Sequence, residues 1–489
     1  MSPQKSRRAT APVPSGPPLY QQIAEKLRGE LIEAGGLVAG DRMPGVRRIS
    51  AQFGVSLATA VAAYRQLEQE NVIEARPRSG FFVRHCQSDI CAPPRESRPR
   101  SWPVPVSGQQ RVMQMIEAAT APGILALGAA VPHSSFLPGK MVQRALASAS
   151  RHPLVANGGY AFPPGYLGLR EQLSLRMARL GCRVAADEIV ITNGGQEALV
   201  VALKSLCKEG DIVALESPAF YGLLQIIDSL GLKALEIPTH PDTGLSLEAL
   251  ELALDKWPVK ACVVVSNFSN PLGCSLPLER KASLVALLAE REVALVEDDI
   301  YGDLHFDAQR PAVAKHFDQR GEVLYCSSFS KTLSPGLRVG WIVPGRYLER
   351  VNYHKFVSSS ANTTVAQIAV QQLLLDGAFD RHLNRLRPTL RSAVAKMRDR
   401  LSHHMPAGTR ISHPDGGFVL WLELPKEVDS LALAQQALER QVSIAPGPLF
   451  SASEKYRNCL RVSCAQPWDE SLERGLATLG MLVREQLGE

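Results

Sequence analysis

The chain has 489 residues, of which 45% are hydrophobic and 21% charged, and its formal net charge is +6. This length exceeds what one hydrophobic core usually supports, so we expect two or more domains, and the composition is ordinary for a soluble globular protein. The basic N-terminus is not followed by an apolar stretch, and no run approaches the ~18 apolar residues of a membrane span. A signal peptide and a membrane-spanning segment are therefore not expected.

The nine cysteines are scattered and form no CxxC pair. Neither Cys86 with Cys91 nor Cys459 with Cys464 has histidines nearby, so we expect structural thiols of a reducing cytosol and no metal site. The charge is uneven, because residues 1–86 hold twelve basic and seven acidic side chains. A basic end on a nearly neutral body indicates a surface for phosphate groups, although a merely solvated basic face would give the same count.

The N-terminal residues 17–85 predict three helices. The first carries Tyr20, Ile23, Leu27 and Leu31 at helical spacing and ends near Gly35-Gly36. After a turn at residues 41–45, a short second helix places three apolar residues on one face, namely Val46, Ile49 and Phe53. Gly54-Val55 ends this helix, and Ser56 is placed to cap the third. A helix, a short turn with glycine and a helix opened by a hydroxyl residue form the helix-turn-helix pattern.

Two apolar runs, residues 72–75 and 81–83, flank Arg76-Pro77-Arg78-Ser79-Gly80 and predict a hairpin, or wing, with two arginines at its tip. The stretch of residues 19–83 resembles the winged helix-turn-helix of GntR-type bacterial repressors, which implies double-stranded DNA as a partner. One departure is informative. Such repressors commonly carry arginines where this chain has Leu57 and Val61, and Leu57 cannot make the bidentate contact of arginine with guanine.

The DNA contacts are therefore assigned to six other side chains. They are Ser56, Thr59 and Arg65 for the bases, and Arg47, Arg76 and Arg78 for phosphates or the minor groove. The resemblance supports Arg47 directly, since GntR-type repressors keep an arginine after the proline-containing turn. Each of these arginines could instead be solvated.

A proline-rich stretch of polar residues follows the wing. Residues 86–115 contain five prolines between positions 93 and 105 and little apolar periodicity. This composition predicts an extended, semi-stiff linker that frees the DNA-binding module from the body. We place the domains at 17–85, 86–115 and 116–489, with a smaller C-terminal α/β subdomain from about residue 375.

From about Leu125 onward, short apolar runs alternate with longer helical segments. Four of these runs are residues 189–191, 212–215, 262–265 and 293–296. This alternation predicts an α/β body with a mainly parallel sheet covered by helices. Ligands of such sheets gather at the carboxyl ends of the strands, where the polar motifs of this chain fall.

Lys331 is the most informative residue of the body. It follows the apolar run 323–326 and stands in a polar segment with Ser328, Ser330, Thr332 and Arg338. A buried amine beside hydroxyls and a fixed cation suits a lysine that forms a Schiff base with a phosphate-bearing aldehyde. An ordinary surface loop would also explain this segment taken alone.

Other strands end in polar motifs as well. Residues 192–196 include two glycines that would let backbone N–H groups at a helix N-terminus approach a phosphate. Residues 216–221 offer an aromatic face, for which core packing is the alternative. Residues 267–273 end a third strand, and Glu297-Asp298-Asp299 end a fourth. Burying a carboxylate there is costly unless a cation or a pyridinium partners it.

Residues from about 125 to 485 resemble the fold-type I aminotransferases that use pyridoxal 5'-phosphate, because four motifs occur in the right order. By this resemblance Lys331 carries the Schiff base, and Asp298 keeps the pyridine nitrogen protonated. The resemblance assigns Asn270 and Tyr301 to the phenolic oxygen, Phe220 to the ring face, and Gly195, Gln196, Ser328 and Arg338 to the phosphate. It also implies a homodimer, since Tyr160 matches a tyrosine that reaches the phosphate of the neighbouring subunit.

The same resemblance gives two expectations for the C-terminal part. Arg461 matches an arginine that clamps a substrate or effector carboxylate as a bidentate pair. Residues 414–424 fit a strand of the small C-terminal domain.

A winged helix joined to an aminotransferase-like body is similar to the MocR subgroup of GntR regulators. The resemblance implies a cytoplasmic transcription regulator that senses an amine, an amino acid or a vitamin B6 vitamer through imine chemistry at Lys331. A working amino acid aminotransferase with an accessory DNA-binding domain stays open, because the lysine, its acid partner and the carboxylate-binding arginine are all present. A cofactor-free body is the third reading.

Overall fold

The structure is a computed structural model that describes residues 18–29, 41–70, 72–76, 80–83, 92–108, 110–119 and 121–489. The chain divides into two units, Met1–Cys86 and Gln87–Glu489. The division lies one residue beyond the end expected for the DNA-binding module.

Within the described residues, the first unit contains three helices and an antiparallel hairpin. These are α1 (Leu19–Leu27), α2 (Val46–Gln52), α3 (Leu57–Gln69), β1 (Ile73–Arg76) and β2 (Gly80–Val83). Their apolar faces form one core, in which Leu27, Ile49 and Tyr64 are almost fully buried. The predicted helix-turn-helix and wing strands are confirmed, whereas the predicted end of the first helix at Leu31 and Gly35-Gly36 lies outside the described residues.

The segment that enters the second unit is docked on the body. Residues 92–103 have no helix or strand of their own, and they are followed by β3 (Val104–Pro105) and α4 (Gln110–Ala119). The sequence predicted an extended, semi-stiff linker that frees the DNA-binding module from the body. The described part is extended, but it is hydrogen-bonded to the body, because peptide groups without a ladder of their own need partners elsewhere.

The remaining elements alternate between strands and helices, as the periodicity predicted. In chain order they are β4 (Leu125–Ala126), α5 (Gly139–Ala149), α6 (Pro153–Ala156), α7 (Leu167–Arg179), β5 (Val190–Thr192), α8 (Gly194–Leu206), β6 (Ile212–Ser217), α9 (Tyr221–Ser229), β7 (Lys233–His240), β8 (Gly244–Leu245), α10 (Leu247–Lys256), β9 (Val259–Val264), α11 (Leu278–Glu290), β10 (Ala294–Asp298), β11 (Val323–Ser328), β12 (Gly340–Val343), α12 (Leu348–Ser359), α13 (Thr364–Leu375), α14 (Ala378–His404), β13 (Arg410–Ile411), β14 (Val419–Glu423), α15 (Ser430–Glu439), β15 (Val442–Ser443), β16 (Ala445–Pro446), β17 (Cys459–Ser463) and α16 (Glu470–Leu487).

The large sheet has nine strands in the order β3-β7-β6-β9-β10-β11-β12-β5, with β8 paired to β7. The central strands β7, β6, β9, β10 and β11 are parallel, and β12, β5 and β3 run antiparallel to their neighbours. Every residue of β6, β10 and β11 is buried, which explains why these strands are nearly continuous apolar runs. The predicted mainly parallel sheet is confirmed.

A smaller antiparallel sheet lies in the C-terminal part, in the order β13-β14-β17-β16. Its strands share one core with α14, α15 and α16. The strand predicted within residues 414–424 is β14. In the part of the chain that the structure describes, no helix is long and apolar enough to cross a membrane.

Candidate functional site

The carboxyl ends of four neighbouring parallel strands meet at one edge of the large sheet. Strands β6, β9, β10 and β11 end there, because parallel strands point the same way. The residues of the sequence motifs fall at or just beyond these ends, namely Glu216, Phe220, Asn270, Asp298, Tyr301, Ser328 and Lys331. The topology thus gathers polar groups that lie far apart along the chain.

Lys331 lies just beyond β11, and its Nζ donates a hydrogen bond to the carbonyl of Ala130 at 2.7 Å. Burial, and then the positive charge of Arg461, lowers the pKa of Lys331 and Asp298 opposes the shift, so that the pKa lies at about 8. An amine with this pKa is partly unprotonated near neutral pH, and the unprotonated form is the nucleophile.

Asp298 is the last residue of β10, and its side chain is buried. Among the described residues its Oδ1 has no hydrogen-bond partner. Burial, and then the charge of Asp299, raises the pKa of Asp298 to about 7. A buried carboxylate with an unpaired oxygen is unfavourable, and a cationic N–H donor in front of it would remove that penalty.

Arg461, Asn270 and Tyr301 form a chain of hydrogen bonds. Arg461 Nη1 donates to Asn270 Oδ1 at 2.9 Å, and Asn270 Nδ2 donates to Tyr301 Oη at 3.3 Å. Arg461 Nη2 donates to the carbonyl of Gly128. Burial raises the pKa of Tyr301 well above its usual range, so its hydroxyl keeps its proton.

The guanidinium of Arg461 is fully buried without a carboxylate among its described hydrogen-bond partners. It lies over the rings of Tyr221 and Phe450, at 5.5 and 5.2 Å from their centroids. Its Nε has no partner among the described residues. A buried cation is normally paired with an anion, so this arrangement suits an incoming carboxylate.

The N-terminus of α8 forms a second part of the site. Gly194 has φ +80°, and a Cβ atom there would lie 2.5 Å from Nη2 of Arg338, so the close approach of the guanidinium requires glycine. Arg338 Nη2 donates to the carbonyl of Asn193 at 2.6 Å. A Cβ atom on Gly195 would lie 3.7 Å from Cβ of Ser328, which places the helix end beside the end of β11. Helix N–H groups, a cation and a hydroxyl together suit a phosphate.

Three further residues belong to the predicted cofactor set. Gln196 is exposed on the first turn of α8. Phe220 precedes α9 and lines a cavity of about 10 Å³ together with Asp298. Tyr160 is exposed and stacks on Phe162, with 5.1 Å between the ring centroids.

The predicted DNA contacts lie on the first unit. Arg47 and Arg65 are exposed on α2 and α3. The Oγ of Ser56 accepts a hydrogen bond from the backbone N–H of Thr59 at 3.1 Å, and the two hydroxyl oxygens lie 2.8 Å apart. Ser56 therefore caps α3, and the Thr59 hydroxyl is hydrogen-bonded to the Ser56 hydroxyl, a contact that sequence reasoning missed. The side chain of Arg76 and all of Arg78 lie outside the described residues.

Sequence reasoning assigned no role to Glu216. It stands next to last in the apolar strand β6, and Asp298 ends the apolar strand β10, and a carboxyl group at such a place was the available signal. The carbonyls of Gly128 and Ala130, which accept from Arg461 and Lys331, carry no signal in the sequence because every residue has a carbonyl.

Two family models match the chain. The family described as aminotransferase class I and II matches residues 135–479, and the family described as bacterial regulatory proteins, gntR family, matches residues 19–83. The fold and the site thus define a protein in which a winged helix-turn-helix is joined to an aminotransferase body.

The relatives share both parts. An uncharacterized HTH-type transcriptional regulator of Escherichia coli (strain K12), YjiR, is 40% identical over 464 residues and covers 95% of this chain and 98% of its own length. A second one, YdcR of the same organism, is 38% identical and covers 96% of this chain and 99% of its own length. The chain belongs to the MocR type of HTH transcriptional regulators of the GntR family.

A solved structure is similar to the body alone. The alpha-aminoadipate aminotransferase LysN from Thermus thermophilus, complexed with N-(5'-phosphopyridoxyl)-L-leucine, has a TM-score of 0.71 at 30% identity and covers 78% of this chain and 96% of that chain. The cofactor implied by this family and fold is pyridoxal 5'-phosphate. The residues fit it, because Asp298 offers an unpaired acceptor, Lys331 an amine and the α8 N-terminus an anion site.

Proposed function

We propose that this protein regulates transcription by coupling DNA binding to the occupation of its pyridoxal phosphate site by an amine, an amino acid or a vitamin B6 vitamer. One observation carries the proposal: a chain with a GntR-type DNA-binding unit retains a complete set of site residues around Lys331. A protein that regulates transcription by binding DNA must be in the same compartment as the DNA, so we infer that this protein is cytoplasmic.

The site residues divide the work of recognising such a ligand. Pyridoxal phosphate, when bound, supplies an aldehyde that condenses with primary amines. Lys331, partly unprotonated near neutral pH, is the amine that would be available to this aldehyde when no other amine is bound, and Asp298 would accept a hydrogen bond from the N–H of the ring nitrogen. Asn270 Nδ2 donates to Tyr301 Oη, which leaves the hydroxyl proton of Tyr301 free; Tyr301 would donate this proton to the phenolic oxygen of the cofactor.

Arg461 favours a ligand that carries a carboxylate as well as an amine. The cation is buried among neutral groups, and its Nε has no described partner. A carboxylate would supply the missing negative charge and accept from the guanidinium in a bidentate pair. We therefore favour amino acids over simple amines as the effector.

The docked segment before β3 offers a route from the site to the DNA-binding unit. The carbonyl of Ala92 accepts from the backbone N–H of Ile411 at 3.1 Å, which ties the segment to the small sheet. Ser97 Oγ accepts from the backbone N–H of Thr239 at 2.8 Å, which ties it to the large sheet. A ligand that binds two arrangements of these sheets with different affinity would favour one of them. Because the segment is hydrogen-bonded to both sheets, its position would change with their arrangement.

DNA binding with and without amines tests the proposal. DNA sites are first selected from genomic fragments with the full-length protein loaded with pyridoxal phosphate. The dissociation constant is then measured against a panel of amino acids, simple amines and B6 vitamers. At least one compound should change it severalfold, and this change should be lost in Arg461→Met if the carboxylate matters. Identical DNA affinity with every compound would contradict the proposal.

A second function, amino acid transamination, is favoured by the 30% identity of the 2-aminoadipate transaminase of Thermus thermophilus, which covers 76% of this chain. Complete conversion of the cofactor to its amine form, with steady release of a keto acid, would support this function. Spectral changes that stop after binding, without keto acid release, would support the regulator alone.

We also infer a homodimer. Aromatic and aliphatic side chains form an exposed patch on the body, made of Tyr160, Phe162, Tyr353, Phe356 and Val357. Phe162 connects its two parts, with its ring centroid 5.1 Å from that of Tyr160 and 6.2 Å from that of Phe356. Such a patch normally marks an interface, and the family resemblance brings Tyr160 to the neighbour's phosphate there.

Sedimentation of three forms tests the dimer. Wild type and Leu252→Glu, which alters an exposed leucine on α10, should sediment as dimers. Phe356→Glu should sediment as a monomer and bind pyridoxal phosphate more weakly. A monomeric wild type would overturn the inference.

A further inference from the structure

The first turns of α3 present a nearly apolar side to solvent. The helix buries its other side in the core of the first unit, through Ala60, Ala63, Tyr64 and Leu67. Five residues at helical spacing are exposed or half-buried on the solvent side, namely Leu57, Ala58, Val61, Ala62 and Arg65. Leu57 is 49% exposed, and of these five side chains only that of Arg65 can form a hydrogen bond.

An exposed leucine that stands alone is common on protein surfaces and needs no explanation. Leu19 is such a residue, because it begins α1, is 55% exposed and has polar neighbours on the solvent side of its helix, namely Gln22, Glu25 and Lys26. Leu57 differs from Leu19, since its neighbours on the solvent side are hydrocarbon over the first turns of α3. The apolar surface of α3 is therefore larger than one side chain.

The hydroxyl groups at the start of α3 are engaged in its cap. The Oγ of Ser56 accepts from the backbone N–H of Thr59, and the two hydroxyl oxygens lie 2.8 Å apart, so one hydroxyl proton is used between them. The turn before the helix is fixed as well, because Ser50 Oγ donates to the carbonyl of Val55 at 2.7 Å. These bonds hold the start of α3 in place, and the residue that they present to solvent first is Leu57.

The position of α3 in the fold indicates what covers this surface. Residues 19–83 match the gntR family, and α3 is the second helix of the helix-turn-helix. In such proteins the second helix lies in the major groove of DNA, and the residues near its N-terminus contact the edges of the bases. Arg47 on α2 and Arg65, about two turns beyond Leu57, are exposed and carry the charge that phosphates require.

The four bases offer different groups to an apolar side chain in the major groove. Thymine is the one that presents a methyl group there, and a leucine gains free energy by removing this group from water. Guanine, adenine and cytosine present hydrogen-bond donors or acceptors at their edges. A leucine that covers such a group takes its water away and offers no hydrogen bond in return, which is unfavourable.

We propose that Leu57 is a specificity-determining residue that reads the methyl group of a thymine in the major groove. Val61 lies one turn further along the same side of α3 and extends the apolar contact. The DNA sites of this protein therefore contain a thymine opposite the start of α3. The proposal rests on the DNA binding of the proposed function, but it does not depend on an effector.

The test uses the full-length protein without effector and DNA sites that the protein selects from random sequences. Selected sites should hold a thymine at a fixed position. Replacing this thymine by uracil removes the methyl group alone, and it should weaken binding about fourfold, the effect of burying one group of this size. At the same position, 5-methylcytosine paired with guanine should bind more tightly than cytosine paired with guanine, because it carries a methyl group at the same place in the groove.

Two variants assign the contact to a residue. Leu57→Ala should bind the thymine and uracil sites with equal affinity, because the side chain that contacts the methyl group is gone. Leu19→Ala is the matched control, since it shortens another exposed leucine at the first position of a helix, and it should keep the wild-type ratio. Each ratio compares two DNA molecules with one protein, so a change in the stability of a variant does not alter it.

Three results would overturn the proposal. They are a wild type that selects no sequence, a wild type that binds thymine and uracil equally at every thymine of its sites, and a Leu57→Ala protein that keeps the wild-type ratio. Failure of the proposed function is a separate result. If amines and amino acids leave the DNA affinity unchanged, the coupling to an effector is wrong, while the ratio of thymine to uracil binding still decides the role of Leu57.

Discussion

Replacing Asp298 by asparagine should make the cofactor-free protein more stable at pH 8 while it weakens the binding of pyridoxal phosphate. The carboxylate is buried, and its Oδ1 has no partner in the described part of the chain. The wild-type protein therefore carries a penalty that the Ile300 N–H and the charge of Lys331 offset in part and that the cofactor would relieve further. Asparagine removes the charge and keeps the shape.

The size of this penalty follows from the pKa. Burial, and then Asp299, raises the pKa of Asp298 from 3.8 to about 7. A raised pKa means that the folded protein binds the proton more tightly than the unfolded chain, so the free energy of unfolding falls as the pH rises from about 4 to 7 and stays low above. Three pKa units correspond to about 4 kcal/mol at pH 8, and to about 1.5 kcal/mol at pH 5. The buried amide needs partners of its own, so we expect a net gain of about 2 kcal/mol or more at pH 8.

Urea unfolding of the cofactor-free protein at pH 5 and pH 8 measures this effect, with Asp303→Asn as the matched control. Asp303 is paired with Arg176 at 3.1 Å and with Arg310 at 2.8 Å. Burial alone would raise the pKa of Asp303, but these two guanidiniums hold it well below its usual range. Replacing Asp303 should lower the free energy of unfolding by about 3–5 kcal/mol at both pH values, which is opposite in sign to the effect expected for Asp298→Asn.

Two results would refute this reasoning about Asp298. One is an Asp298→Asn protein that is less stable than wild type at pH 8 without cofactor. The other is a stability gain that is the same at pH 5 and pH 8, since the charge of Asp298 is what separates the two conditions.

Four further predictions follow from the site and the DNA-binding unit. Lys331→Met should abolish the shift in the absorption spectrum that pyridoxal phosphate causes on binding, while circular dichroism stays the same; a retained shift would contradict the role of the lysine. Arg47→Ala should weaken DNA binding uniformly across sequences and reduce the slope of log affinity against log salt by about 1, as expected for a phosphate contact; a change confined to one base position would indicate base reading. Ser56→Ala removes the cap of α3 and should lower the protection of its amides against hydrogen exchange in the full-length protein by about 1 kcal/mol, and unchanged exchange would show that the cap contributes little. Ser97→Ala removes the side-chain hydrogen bond from the Thr239 N–H, leaves the bond from the Ser97 N–H to the Thr239 carbonyl, and should reduce the effector-dependent change in DNA affinity without altering effector affinity; an undiminished response would show that this side-chain bond is not part of the route.

Local patterns in the sequence were sufficient for most of the fold. The alternation of apolar runs and amphipathic segments predicted the strands β6, β9, β10 and β11, because burial on both faces leaves a continuous apolar run. Ser56 predicted the start of α3, because a cap acts on N–H groups only three residues away. The family resemblance of residues 125–485 then named the site residues around Lys331.

Only the tertiary structure decided which of these groups meet. Arg461 and Asn270 are 191 positions apart, and Arg461 and Gly128 are 333 apart, so no local pattern records their hydrogen bonds. The docking of residues 92–103 and the shared cavity of Glu216 and Asp298 depend in the same way on the order of the strands. Periodicity is set by neighbours along the chain and can be seen in the sequence. Contacts between strand ends are set by how the sheet is assembled, and the penalty for burying an unpaired carboxylate becomes visible only once its surroundings are known.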